Sequence, residues 1–280
     1  MIVYRTKTDL VQHLDNLRKK GKSIGLVPTM GALHPGHLSL VERSASEMDA
    51  TVVTIFVNPT QFNDPADLEK YPRTPENDLD LLQSNRADVV FIPSVKEMYP
   101  VPDHTTFDLG GLDQVMEGRQ RKGHFNGVAQ IVSMFFEVVR PHRAYFGQKD
   151  FQQLVIIRHL ARWLKMDTDI VGCPIVREKD GLALSSRNVH LSREERKAAP
   201  FIYQTLQNAY EMRGDLSPAQ VKKWVSSSFE QHPLMKLEYF EIVEDKALNP
   251  VMGWDEKVNK VGCIAVVLGG VRLIDNLFFD

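Results

Sequence analysis

The sequence predicts an α/β fold, a parallel sheet with helices on both faces, followed by a smaller α+β domain. Between residues 24 and 176, short apolar and β-branched runs alternate with stretches of helical spacing. That is the pattern of parallel strands joined by crossover helices. After Val176 the order changes to helices followed by strands, which places a boundary near residue 177 and gives domains 1–176 and 177–280. Size agrees: 280 residues, 43% hydrophobic and 25% charged, are enough for a full core and two domains.

Each element has its own signal. Leu10, Val11, Leu14 and Leu17 mark one face of a helix from Thr8 to Lys20. Ile24–Val27 reads as a buried strand, and Leu38–Met48 as an amphipathic helix beginning near His37. Ala50–Val57 is rich in β-branched residues and reads as the second strand, closed by the polar loop Asn58–Asn63. Thr74-Pro75-Glu76 combines an N-cap, a proline at the first position and an early acid, opening a helix to Asn85. Asp88–Ile92 is the third strand, followed by a loop from Pro93 to Gly111. Gly123-His124-Phe125-Asn126-Gly127 leads into a strongly apolar helix ending at Val139. Ala144–Phe146 is a short strand, Phe151–Lys165 a helix and Asp169–Val176 a further strand. The whole is Rossmann-like. Arg177–Asn188 is then a polar loop, Ser192 to Glu195 has the spacing of a capping box opening a long helix, and Ser217-Pro218 starts another. Leu237–Val243 and Cys263–Leu268 are β-like, with short pieces after them.

Composition excludes several classes. A net charge of −2 leaves no overall basic footprint for nucleic acid. No apolar run is long enough to span a membrane, and Met1 to Lys20 has no signal-peptide core. The expectation is a soluble, cytoplasmic protein. Cys173 and Cys263 sit in apolar contexts; they could form at most one bridge, and the expectation is two buried free thiols. No zinc spacing and no Gly-x-Ser-x-Gly elbow is present.

Ligands of open parallel sheets bind outside the carboxyl ends of the strands. Four polar segments fall at such ends. The first is Pro28-Thr29-Met30-Gly31-Ala32-Leu33-His34-Pro35-Gly36-His37. Its glycines allow close backbone approach, the helix after it would present free N–H groups, and its imidazoles can donate to an anion. The pattern suits a phosphate. The second is the Asn58–Gln61 loop. The third, Gly147-Gln148-Lys149-Asp150, repeats the logic of the first with a cation at hand; read alone, it is an ordinary helix start with a solvated lysine. The fourth, Leu184-Ser185-Ser186-Arg187-Asn188, can wrap a polyphosphate; read alone, it is a serine-rich linker. Gln61 and Gln153 could grip a hydroxyl or carboxylate without neutralising it, though by composition they are ordinary surface glutamines.

Taken together with Phe56-Val57-Asn58-Pro59-Thr60-Gln61-Phe62, Tyr71-Pro72-Arg73-Thr74, Gly123-His124-Phe125 and Phe146 to Gln153, these segments resemble the pantothenate synthetase (pantoate–β-alanine ligase) family. The similarity runs in order along the chain and weakens after residue 200. The first motif alone marks a large superfamily of adenylyl-transferring enzymes; the asparagine–glutamine loop with the Lys149 turn is more specific. The resemblance implies ATP-dependent condensation of (R)-pantoate with β-alanine through a pantoyl adenylate, releasing AMP and pyrophosphate. It also implies Mg²⁺ and a homodimer. By matching position, Met30, Gly31, Ala32, Leu33, His34, Pro35, Gly36 and His37 would line the ATP site, with His34, His37 and Lys149 catalytic. Gly147, Gln148, Lys149, Asp150 and Val176 would contact the nucleotide, and Leu184, Ser185, Ser186 and Arg187 would close over the triphosphate, as part of a C-terminal lid. Gln61 and Gln153 would hold pantoate. The metal ligands are not identified. Two positions depart from the family pattern, Gln148 for glutamate and Asn126 for arginine.

The chemistry is consistent with these residue types. A carboxylate acylates an amine only after its oxygen becomes a good leaving group, and adenylylation supplies one. The charge that develops sits on phosphate oxygens, so cations and N–H donors are the useful groups. A nucleotidyltransferase that keeps AMP on its product would share the first motif without needing Gln61 and Gln153. A silent nucleotide-binding regulator would need neither His37 nor Lys149.

Overall fold

A computed structural model describes residues 1–279. Its contacts divide the chain into two units, Met1–Gln148 with Ile156–Pro174, and Lys149–Val155 with Ile175–Asp280.

The first unit is built on a parallel sheet of β1 (Ile2–Tyr4), β2 (Ile24–Thr29), β3 (Ala50–Ile55), β4 (Val89–Phe91), β5 (Arg143–Gly147) and β6 (Asp169–Cys173), in the order β1-β4-β3-β2-β5-β6. Every pairing is parallel. All six side chains of β3 are buried, as expected of a strand covered on both faces. The chain moves from β2 through β3 to β4 in one direction, then returns to place β5 on the other side of β2. That reversal makes a switch point at the carboxyl ends of β2 and β5. The helices of this unit are α1 (Lys7–Lys19), α2 (Pro35–Glu47), α3 (Pro65–Lys70), α4 (Pro75–Ser84), α5 (Val95–Met98), α6 (Met116–Gln120) and α7 (His124–Val139). One core cluster joins Val27, Val41, Val53, Leu82, Val90 and Tyr145.

Helix α8 (Phe151–Trp163) carries the chain across both units. The second unit holds α9 (Arg193–Ala198), α10 (Phe201–Glu211), α11 (Pro218–Glu230) and the antiparallel sheet β7 (Met235–Glu244), β8 (Lys260–Leu268) and β9 (Val271–Phe278). Its core gathers Ile202, Leu206, Val225, Phe240, Ile264 and Val266.

The expected α/β and α+β layers are present, and the differences have local causes. β1 was not anticipated: three residues carry no periodicity, and Ile2 is exposed. β6 stops at Cys173, before Pro174, which has no N–H to continue the ladder. The capping box at Ser192 and Glu195 forms, but the long helix after it is broken into α9 and α10 by Pro200. The C-terminal pieces are one eight-residue strand, β9. Thr74 does not cap α4 with its side chain; its hydroxyl donates to Asp78 Oδ1 at 3.1 Å instead. Both cysteines are buried thiols, as expected.

Candidate active site

The turn after β2 is fixed by side chains distant in sequence. Gly31 and Ala32 have φ of +82° and +50°, so the chain reverses through left-handed conformations that only Gly31 adopts without strain. Gly31 N–H donates to Thr29 Oγ1 at 3.2 Å, and that hydroxyl donates to Thr54 O at 2.7 Å. Ala32 N–H and Leu33 N–H donate to Asp78 Oδ2 and Oδ1 at 2.9 and 2.8 Å. Asp78 is only 1% exposed.

Helix α2 begins at Pro35, two residues before His37, and its first turn does not offer the free N–H groups expected. His34 is the N-cap, its Nδ1 accepting from Gly36 N–H at 3.1 Å. Pro35 has no N–H, and His37 N–H and Leu38 N–H donate to His34 O at 2.8 and 3.2 Å. Because Nδ1 is an acceptor, the neutral His34 ring carries its proton on Nε2. The rings of His34 and His37 are stacked at a tilt, 4.0 Å between centroids.

The loop after β3 is a 3₁₀ turn, Pro59–Gln61, and Gln61 is buried at 8% exposure rather than lying on the surface. Both ends of its amide are engaged: Nε2 donates to Met30 Sδ at 3.1 Å, and Oε1 accepts from Asn58 Nδ2 at 3.3 Å. Asn58 Nδ2 also donates to Gly127 O at 2.9 Å, and Asn58 Oδ1 accepts from Tyr99 at 2.8 Å. Burial raises the Tyr99 phenol above its ordinary range. From α7, His124 Nδ1 lies 2.8 Å from Gln61 O, and Arg121 Nη1 lies 3.0 Å from His124 Nε2. A guanidinium only donates and a carbonyl only accepts, so His124 is the neutral Nδ1–H tautomer. Asn126, one of the departures from the family pattern, ties α7 to the segment before it, donating to Thr105 O at 3.0 Å and accepting from Phe107 N–H at 3.0 Å.

After β5 the chain makes a 3₁₀ turn, Gln148–Asp150, directly into α8. Gly147 has no positive φ, and a Cβ there would meet no atom within 4 Å. Neither the backbone nor the protein around it requires the glycine.

In the second unit, Lys149 O accepts from Asn276 Nδ2 at 3.0 Å. The adjacent Asp275, 5% exposed, binds Arg177 through both oxygens, at 2.6 and 2.9 Å. Burial pushes the Asp275 carboxyl upward while the guanidinium opposes it. Arg177 also donates to Gly181 O and Asn276 O and lies 3.8 Å from the Tyr203 ring centroid. The first half of the polar loop is therefore a pinned hairpin, with Arg177 bridged to Ala183 and Leu184 N–H donating to Val176 O at 3.0 Å. Ser185 Oγ accepts from Arg187 N–H at 3.3 Å, opening a 3₁₀ turn, Ser186–His190. Gln153 lies half-buried on α8.

The structure thus brings Met30 to Gln61, His34 to His37 and Val176 to Leu184. Sequence reasoning did not identify Asp78, Tyr99, Arg121, Asp275 or Asn276 as supports. Asn58, His124 and their shared partner Gln61 lay inside recognised motifs, but Tyr99 and Arg121 did not.

Over residues 2–278 the chain matches a family model described as pantoate-beta-alanine ligase. It is 55% identical over 277 residues to the pantothenate synthetase of Bacteroides fragilis, covering 99% of this chain and 98% of that one. Among solved structures, the pantothenate synthetase of Thermus thermophilus is 42% identical with a TM-score of 0.92, covering 99% of each chain. The pantoate-beta-alanine ligase of Francisella tularensis, complexed with beta-gamma ATP and beta-alanine, is 34% identical with a TM-score of 0.82, covering 100% of this chain and 98% of that one.

Proposed function

The chain belongs to the pantoate–β-alanine ligase family, and on that premise we propose how its residues carry out the ATP-dependent condensation of pantoate with β-alanine. A pantoate carboxylate oxygen attacks the α-phosphorus of ATP. The bond from that phosphorus to the bridging oxygen breaks, and pyrophosphate leaves with the electron pair. The β-alanine amine then attacks the acyl carbon and gives up a proton, the carbon–oxygen bond to phosphate breaks, and AMP departs with that electron pair.

One observation carries the reading within the first unit: Gln61 Nε2 touches Met30 Sδ at 3.1 Å. It puts a buried neutral amide, fixed at both ends, beside the turn that bears His34 and His37. A neutral amide orients a nucleophilic carboxylate without neutralising it, whereas an arginine or lysine there would stabilise its charge and lower its nucleophilicity. We assign Gln61 to pantoate and His34 and His37 to the phosphates. Gly147, with open space where a side chain would stand, permits close approach of the nucleotide. On the resemblance, Gln153 also holds pantoate, and Lys149, Asp150, Val176 and Leu184 to Arg187 contact ATP.

Magnesium enters this proposal as an ion carried by the triphosphate. Among the described residues no group of three or more His, Cys, Asp or Glu side chains could hold a metal, so no protein cage is assigned and no step is routed through the ion. A homodimer and a cytoplasmic location are further parts of the proposal. Among the described residues no helix is long and apolar enough to cross a membrane.

The test is isotope exchange. Labelled pyrophosphate should enter ATP when enzyme, Mg²⁺ and pantoate are present and β-alanine is absent, and omitting pantoate should abolish it. Exchange that required β-alanine would refute the stepwise adenylate mechanism.

A further inference from the structure

Consecutive backbone N–H groups in a left-handed turn, followed by a helix N-terminus, make a concavity that binds anions. The turn after β2 has that form, yet six of its donors are already used. Gly31 N–H goes to Thr29, Ala32 and Leu33 N–H to Asp78, Gly36 N–H to the His34 ring, and His37 and Leu38 N–H to His34 O. Pro35 has none. The anion in the concavity is the protein's own Asp78 carboxylate, 1% exposed and buried with both oxygens bonded. The fit is close: a Cβ on Gly31 would stand 3.0 Å from Asp78 Oδ2 and 3.1 Å from Ile55 Cγ2.

We propose that Asp78 is a positioning residue for the adenylylation step: its carboxylate is the internal anion that sets the turn, and through it the His34 and His37 imidazoles, so that side chains rather than the backbone of residues 32 and 33 meet the phosphates. This rests on the assignment of that turn to ATP. Asparagine cannot replace the acid. Three donors converge on it, the N–H groups of Ala32 and Leu33 and the Thr74 hydroxyl. An amide would aim its own NH₂ at one of the backbone N–H groups. The clamp also explains why Thr74 leaves its helix uncapped: its hydroxyl is drawn to Asp78 Oδ1.

The test has two arms, both on the full-length protein. In the first, unmodified enzyme labelled with ¹⁵N is titrated with a non-hydrolysable ATP analogue and Mg²⁺. The Ala32 and Leu33 amide resonances should stay in place while the His34 and His37 ring nitrogens move. Large shifts of those two amides, with the rings unmoved, would overturn the proposal, because the phosphate would then have taken the backbone donors. In the second arm, Asp78→Asn should lower the pyrophosphate–ATP exchange rate at saturating substrates by about 10–100-fold, the scale of a misplacement near 1 Å. The pantoate KM should stay within about twofold, since Asn58 and His124 still hold Gln61. The His34 ring should lose its single Nε2–H signature. A purely structural role would lower the melting temperature but leave the exchange rate per folded molecule and the His34 spectrum unchanged, and that result would refute positioning. If Asp78→Asn does not fold, the first arm decides alone. Absence of exchange in unmodified enzyme would count against the functional assignment, while the amide and ring shifts would still report on the clamp.

Discussion

Gly127→Ala should separate activity from stability in this protein. Gly127 lies in the first turns of α7, where the helix meets the 3₁₀ turn that carries Gln61. An added Cβ would stand 2.4 Å from Thr60 O, 2.6 Å from Thr60 C and 2.7 Å from Gln61 N. All three are backbone atoms, so no rotamer change relieves the clash. Reaching ordinary contact requires the turn and the helix to separate by about 1 Å. α7 is buried along most of its length and cannot shift cheaply, so the turn must move. That stretches the Asn58 Nδ2 to Gly127 O bond of 2.9 Å and the His124 Nδ1 to Gln61 O bond of 2.8 Å. Overpacking costs about 1–3 kcal/mol, and alanine recovers about 1 kcal/mol of helix propensity. The net loss of stability is therefore about 0–2 kcal/mol. A displacement of that size at a substrate-orienting group costs about 10²-fold in rate. Pyrophosphate–ATP exchange, measured across pantoate concentrations, should show kcat/KM for pantoate falling by about that factor, while urea unfolding shows a folded protein. Exchange within twofold of the parent in a folded variant would refute the claim that the α7 contact positions Gln61.

Three further outcomes are expected. Lys149→Ala should fold normally and lose about 10²–10³-fold in the adenylylation half, the usual cost of one transition-state donor; a near-normal exchange rate would reject that role. Asp275→Asn should leave the Arg177 guanidinium, 16% exposed, without its bidentate partner, destabilising the protein by about 3–5 kcal/mol. Trypsin should then cut faster at the exposed Lys179, and an unchanged unfolding midpoint and cleavage rate would argue against the pinned hairpin. Asp49 accepts from Ser23 N–H and Oγ and from Lys22, which lowers its carboxyl from 3.8 to about 2. Since the folded value lies below the unfolded one, its contribution is fully present above pH 3.8 and is lost as pH falls through about 2. Asp49→Asn should remove that part of the acid dependence, so acid titrations of parent and variant should converge toward pH 2; a constant gap would contradict the assignment.

Much of the sheet was legible because its signals are local. The runs at Ile24–Val27, Ala50–Val57 and Asp88–Ile92 are apolar because strands covered on both faces have no solvent side. Proline and serine marked the starts of α4, α9 and α11 because the unpaired N–H groups of a first turn select them. The His34–His37 turn was visible for the same reason, with residues of special conformation or chemistry crowded into ten positions. β1 escaped because three residues carry no period; its place was set by pairing with β4, whose residues lie 87 positions away, as Ile2 with Val89.

The state of each functional group was decided by tertiary structure. The sequence alone determined that a glycine–histidine turn follows a buried strand and that glutamines and a lysine stand near other strand ends. It did not determine that the N–H groups of Ala32 and Leu33 are consumed, because the acceptor, Asp78, lies 45 and 46 residues from Leu33 and Ala32. It left Gln61 as a surface residue, because the groups that bury and orient it come from Met30, Asn58, His124 and the bare backbone at Gly127. Arg177 read as the start of a polar loop, and only the fold brought Asp275 to it across 98 residues. Local patterns report what a segment must bury or cap. A buried hydrogen bond between distant segments depends on which surfaces the packed core places in contact, so it leaves no periodic trace in either segment.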